Sequence, residues 1–418
     1  MIPRFSPDYH WSDLTVAIRQ SRENSVSSLE NRFAHLSHHQ SAIAFRYGRS
    51  GLYFLLKALG AKNKKVVLPA YTCVVMANAV VLSGNKPVFL DNAADSLQPD
   101  PLDYLKAIDA DTIMVVPTHL FGIAEETSFL YSEVKKAHPN VFVLQDCAHS
   151  YFCKDSTGNV VTSYGDGALF GMNISKLVNS VYGGMLTLRD SNIATKVKNE
   201  FISANQSRDS FAELKSRSYA ASATFAFTSP GYKMVSWVSK NTQLLDSETR
   251  YFDEDVIELP NDFSAPMLPF EAEMGHRSLD RYDRRIQNRR EIASYYLQCL
   301  KELKNAYIPF SAPGNTWSHF PILVPSEIRN SLKAELEKKF RVEIGIIIDY
   351  SIPSLPSYRE LDSSKFPNSE MAVNQILNLP LTFEEGIWPI HRWKQVAAGL
   401  CEKITQSCHN IKGGKLKT

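Results

Sequence analysis

The six cysteines, at positions 73, 147, 153, 299, 401 and 408 of 418 residues, form no C-x-x-C pair. That absence excludes a zinc ribbon or a disulfide framework and leaves reduced thiols and no metal site as the expectation. An excess of one charge is missing as well. With 46 Lys and Arg against 44 Asp and Glu, the formal net charge is +2, and neither a nucleic-acid surface nor an acidic tail is implied. No stretch approaches the roughly 18 consecutive apolar residues of a membrane span. The opening MIPRFSPDYHWSDL lacks the apolar core of a secretory signal, so the expected location is the cytoplasm. Internal repeats and low-complexity blocks are also lacking, and organisation has to be read from periodicity and chain breakers.

The residues present are those of a globular chain: 44% hydrophobic and 11% aromatic, enough to bury a large domain and a smaller one. From residue 64 to 188, short apolar runs alternate with helical patterns. KVVLPAY precedes a helix through VVMANAVVLSG, and KPVFLD, TIMVVPTHLFG, NVFVLQDCAHS and GALFGM follow. Runs without polar alternation fit strands covered on both faces, so a mostly parallel sheet with helices on either side is expected. In such sheets functional groups gather beyond the carboxyl ends of strands, which selects Tyr71, Thr72, His119, Asp146 and the segment leading to Lys176. A highly charged helical pattern over 277–305 suits a bridge to a small α+β unit. That unit reads as strand HFPILV, helix SEIRNSLKAELEKKF, strand RVEIGIIIDY, strand QILNLPLT and a last helix from His391 to Cys408. The lysine-rich end KGGKLKT is expected to be disordered.

Asp146 follows apolar residues at a strand end, where a carboxylate is partly desolvated and needs a cationic partner. A structural salt bridge would satisfy it. So would the protonated pyridine nitrogen of pyridoxal phosphate (PLP), if Lys176 carried the cofactor's aldehyde as a Schiff base. PLP also requires a phosphate cup. FRYGRSGLYFLLKALG places a turn glycine and small polar residues before an apolar helical pattern, and backbone N–H groups at such a helix start bind phosphate.

Taken together, IPRFSP, VVLPAYTCVVMANAVVLSGNKPVFLD, PTHLFG, QDCAHS and NISKLVNSVYGG make the chain resemble the DegT/DnrJ/StrS-type sugar-nucleotide aminotransferases of PLP fold type I. The resemblance implies an α/β fold, with a large PLP-binding domain over 1–278 and a small C-terminal α+β domain over 279–418 that starts with the linking helix. It implies Lys176 as the Schiff-base lysine, Asp146 as the pyridinium partner, and phosphate contacts from Arg49, Ser50 and Gly51. A homodimer with active sites at the subunit interface is implied too, together with transfer of an amino group from an amino acid, commonly glutamate, to the keto carbon of a nucleotide-linked sugar.

Several positions depart from the family's pattern. Gly171 stands where a serine usually serves the phosphate, and Arg49 replaces a small hydroxyl residue in the phosphate turn, where it could supply the lost contact. His149 stands where a glutamine contacts the cofactor's phenolic oxygen. Cys73 stands where an aromatic ring stacks on the pyridine, a role left to Tyr71 or His119. Ser264 and Pro266 take the places of an amide and a guanidinium. Tyr71 and Asn173 are read as substrate contacts, and His119 as a packed, hydrogen-bonded histidine rather than a proton carrier. The aromatic-rich segment 205–254 is read as core or dimer packing, with a lid or a membrane-surface contact as the other option. Two functions besides transamination remain: a PLP-fold sugar dehydratase, against which the presence of Lys176 counts, and a non-catalytic binding or regulatory relative, supported by the altered positions 73, 171 and 264.

Overall fold

A computed structural model describes residues 3–94, 96–204, 211–228, 231, 232, 234, 235, 252–304, 306–308, 312–360, 364–382 and 390–410. The C-terminal KGGKLKT and much of the aromatic-rich segment lie outside the described residues.

Seven strands form the main sheet: β1 Ser41–Phe45, β2 Lys65–Pro69, β3 Lys86–Leu90, β4 Thr112–Val115, β5 Phe142–Asp146, β6 Gly167–Gly171 and β7 Gly184–Leu188. Their order is β1-β7-β6-β5-β4-β2-β3. β7 runs antiparallel to both neighbours, β1 and β6, and the remaining pairs are parallel. The strands read from apolar runs are β2 to β6. β1 and β7 add to that reading: SAIAF and GMLTL are short and rich in small side chains, so neither stands out as an apolar run.

The helix Val74–Leu82 after β2 is apolar all round and buried along most of its length, as expected of one enclosed between the sheet and other elements. The helix Gly48–Ala58 after β1 buries Leu52, Phe54, Leu55 and Leu56 against the sheet. The long helix begins at Pro269 rather than near Arg277 and ends at Cys299. Proline at its first position is preorganised for a helix start, and the Leu268 N–H donates to Glu271 Oε2 at 2.8 Å, closing the first turn.

Beyond that helix, β8 Phe320–Leu323 and β9 Ile376–Leu379 pair antiparallel, and the helices Ser326–Phe340 and Ile390–His409 pack on each other. The expected strand RVEIGIIIDY is not one. Its contact with β9 is a single bridge, Gly345 to Asn378, while Val342, Ile344 and Ile348 fill the core. An apolar run encodes burial before it encodes pairing. One continuous apolar cluster runs from Phe45 and Leu52 through Tyr296 and Phe320 to Leu400 and Ile404, tying both parts of the chain together.

Candidate active site

Three parallel strand ends and one loop make the site. Asp146 closes β5 and is 3% exposed. Its N–H donates to the Pro117 carbonyl and its carbonyl accepts from the His119 N–H, so the carboxylate is fixed against the β4 end. Oδ1 accepts from the Ala148 N–H at 3.0 Å, and Oδ2 has no hydrogen-bond donor among the described residues. Burial pushes the Asp146 carboxyl up, opposed by the Ala148 N–H and by the Lys176 charge. An open oxygen on a desolvated carboxylate is a site for a cation.

Lys176 sits in the loop between β6 and β7. Met172 donates to the Gly183 carbonyl, Ser180 to the Met172 carbonyl, and Lys176 itself to the Asn173 carbonyl. Desolvation lowers the amine's pKa, while the Cys73 thiol and Asp146 pull it the other way. Cys73, half-buried at the start of the helix Val74–Leu82, is thus brought to the lysine together with Asp146. His149 joins them: its Nδ1 accepts from the Phe121 N–H at 3.4 Å, which leaves the ring proton on Nε2. Desolvation, then Lys176 and His319, hold it neutral.

His319 is the residue that sequence reasoning missed. Its ring lies 5.6 Å from that of His149, and desolvation, then Arg289, Lys176 and Arg4, keep it neutral as well. The strap that carries it is docked on the PTHLFG turn: Thr316 and Trp317 both donate to the Gly122 carbonyl, and His319 donates to that of Phe121. Gly122, at φ +78°, has the strap's backbone against its Cα hydrogen, so only glycine fits there. A lone histidine before an apolar strand, in WSHFPILV, was the available signal.

The helix start at Gly48 abuts the end of β6: a Cβ on Gly48 would lie 3.1 Å from the Phe170 carbonyl oxygen. The Arg49 guanidinium lies 5.2 Å from the centre of the Tyr47 ring. Ser50 turns inward and donates to the Phe263 carbonyl at 2.7 Å, and Gly51 packs on Leu169 and Leu186. Gly51 is thus placed by helix-to-sheet packing and Ser50 by the Phe263 carbonyl. At Gly171 a Cβ would meet Lys176 Cε at 3.5 Å and Ala148 Cβ at 3.9 Å, so the position borders the lysine and has room around it.

One expected contact is displaced. Tyr71 is fully buried, its hydroxyl donating to the Ile348 carbonyl at 3.1 Å, and no face of the ring is open to substrate or cofactor. His119 is equally buried. It accepts from the Glu125 N–H at Nδ1 and donates from Nε2 to Gln145, and burial lowers its pKa to about 4. Asn173 is exposed at the loop's surface, its side-chain oxygen accepting from the N–H and hydroxyl of Ser175. Ser264 is buried and Pro266 half-buried.

An amine electrostatically coupled to a desolvated carboxylate, two neutral imidazoles and a helix start next to a roomy glycine form a donor set that fits PLP. No group of three or more potential metal ligands occurs among the described residues.

Comparison with known proteins points the same way. The model of the DegT/DnrJ/EryC1/StrS aminotransferase family matches residues 17–385. GDP-perosamine synthase of Escherichia coli O157:H7 is 28% identical over 174 residues, 41% of this chain and 47% of that protein, so the chain spans about half the length of that relative. Spore coat polysaccharide biosynthesis protein SpsC of Bacillus subtilis (strain 168) is 24% identical over 377 residues, covering 86% of this chain and 85% of that protein. Among solved structures, the aminotransferase TlmJ from Streptoalloteichus hindustanus superposes with a TM-score of 0.73 at 18% identity, covering 97% of this chain and 100% of that one.

Proposed function

The chain belongs to the DegT/DnrJ/EryC1/StrS aminotransferase family, PLP-dependent enzymes, and on that premise we propose that it moves an amino group from an amino acid, glutamate the expected donor, to a keto-sugar. The acceptor is nucleotide-linked and the product serves surface polysaccharide or deoxyamino-sugar synthesis. The observation that carries the reading is the electrostatic coupling of the desolvated Lys176 amine, in the β6–β7 loop, with the buried Asp146 carboxylate at the end of β5, within a chain whose relatives are named for amino-sugar and polysaccharide synthesis.

Bound PLP supplies an electron sink for the pair left when a proton departs from the donor's α-carbon. Lys176 would hold the cofactor and, when free, would take and return that proton; its lowered pKa makes the neutral amine more available as a base. Asp146 would keep the ring nitrogen protonated. His149 would donate from Nε2 to the cofactor's phenolic oxygen, and His319 would donate or accept at the substrate. Arg49 and the helix start would hold the phosphate, Cys73 would contact the cofactor, and Asn173 would contact the sugar. The same reading has the protein working in the cytoplasm as a homodimer. It divides the chain into a large unit over 1–278 and a small one over 279–418, the long helix passing from one to the other.

The test uses purified protein loaded with PLP. Glutamate alone should release 2-oxoglutarate in an amount equal to the bound cofactor, and release should become catalytic when a nucleotide-linked keto-sugar is added. Failure to release keto acid from glutamate or any other amino acid would remove the transaminase reading.

A further inference from the structure

The side chain that fixes the Lys176 loop lies three residues beyond the lysine. Asn179 is fully buried. Its Nδ2 donates to the carbonyls of Asn173 at 3.0 Å, Ile174 at 3.1 Å and Lys176 at 2.6 Å. Its Oδ1 accepts from the Asp8 N–H at 2.5 Å and from Arg285 Nη1 at 3.3 Å. Partners fix which end is which, since carbonyls face one side of the amide and donors the other.

The far side is anchored in turn. Arg285, 6% exposed on the long helix, also donates to the Leu177 carbonyl at 3.0 Å and to the Ser6 carbonyl at 2.6 Å. Asp8 is paired with Arg281 of that helix, and Tyr9 donates to the Ser180 carbonyl at 2.7 Å. An N-terminal strap and a helix more than 250 residues away in sequence therefore converge on one carboxamide. That carboxamide grips the carbonyls of the lysine and of two residues preceding it.

We propose that Asn179 is the positioning residue of this site: it holds the loop 173–176 so that the Lys176 amine stays desolvated among Asp146, Cys73, His149 and His319. The proposal rests on the reading of Lys176 as the cofactor's lysine. No hydrophobic or hydroxyl side chain of that size could serve three carbonyls with its N–H groups, one of them shared between two carbonyls, and also accept from the strap. Leucine matches the shape and makes none of the bonds. Release of the loop lets the amine reach water, and a solvated lysine titrates near 10.4.

Asn179→Ala is measured in two ways. In the cofactor-free full chain, pH-dependent acetylation of Lys176 followed by peptide mass spectrometry gives the amine's apparent pKa, which should rise toward that of a free lysine. In the loaded enzyme, kcat should fall by about tenfold or more while KM for glutamate stays within about threefold, because orientation rather than binding is lost. Should the alanine protein not fold, Asn179→Leu carries the same readouts. A lowered melting temperature with the Lys176 pKa and kcat unchanged would overturn the proposal, since a merely structural asparagine behaves that way. Borohydride reduction of the wild-type holoenzyme separates the underlying reading: a pyridoxyl group mapped to another lysine refutes the assignment of Lys176, whereas one on Lys176 with an unmoved pKa in the variants refutes the role of Asn179.

Discussion

Asp146 and Lys176 divide the chemistry at the scale of single residues, and each has its own test. Asp146→Asn preserves shape but cannot hold a ring nitrogen protonated. Turnover should fall by far more than about tenfold, roughly 1.4 kcal/mol of barrier, with the fold intact by circular dichroism; retention of a tenth of the activity would make the carboxylate structural. Glu125 offers a pH test independent of catalysis. Burial, then the neighbouring Glu126, pushes its carboxyl from the ordinary 4.5 up to about 8. Between those values the folded state holds a proton that the unfolded chain has lost, so this residue's contribution to stability decreases as pH rises through that window and levels off above about 8. Glu125→Gln should therefore raise stability by about 1–3 kcal/mol at pH 8 and leave it unchanged near pH 4, read as urea midpoints at the two pH values. Lys176, Asp146, His149 and Cys73 were legible because strand ends, spacing and family pattern mark them. Asn179, Arg285 and His319 were not, since the partners that anchor them from the far side, Asp8 and Arg285 for Asn179, Ser6 and Leu177 for Arg285, Phe121 and His149 for His319, lie 100 or more residues away and no local pattern records such contacts. Tyr71 misled for the opposite reason: the sequence places it at a strand end but does not say that Ile348 covers it.

At the scale of elements, the proposed phosphate cup depends on how closely the helix Gly48–Ala58 meets β7. A Cβ at Gly184 would overlap the backbone of Tyr47 and Gly48, so Gly184→Ala must push the helix start away from the sheet. It should cost about 2 kcal/mol or more of stability and weaken PLP binding together with it, followed by thermal melting and cofactor titration; tight binding in that variant would show that the cup lies elsewhere. Arg49→Ala is the milder probe, expected to weaken PLP by about tenfold or more, about 1.4 kcal/mol, at unchanged melting temperature of the cofactor-free protein. Gly171→Ser in that background should recover part of the loss, because the site has room for the added side chain next to Lys176. Parent-like affinity in Arg49→Ala would end the compensation idea. The central strands β2 to β6 were readable since burial on both faces leaves an unbroken apolar run. The small-residue β1 and β7 lack that signature, and 342–350 carries it while pairing only through the single bridge at Gly345.

At the scale of the whole molecule, the continuous core binds the two parts of the chain, yet part of the apolar surface is left uncovered. Trp11 is 60% exposed, Ile18 87%, Phe211 62% and Leu214 59%. They belong to or adjoin two helices that pack on each other, Leu14–Ile18 and Ala212–Ala226. Large apolar side chains this exposed on neighbouring helices are candidates for an interface, and under the homodimer reading a second copy covers them. A symmetric contact places the same patch on both subunits, so one charged substitution acts twice. Ile18→Lys combined with Leu214→Lys buries no new charge in the monomer, since both side chains already face solvent, but it sets four ammonium groups into the dimer's contact. The wild-type protein should sediment at twice the chain mass of 47.1 kDa and the double variant at the chain mass, with the melting curve of the variant independent of protein concentration and that of the wild type dependent on it. A wild type that sediments as a single chain would refute the dimer. A double variant that remains dimeric would assign the interface to another face and leave these side chains to a different role.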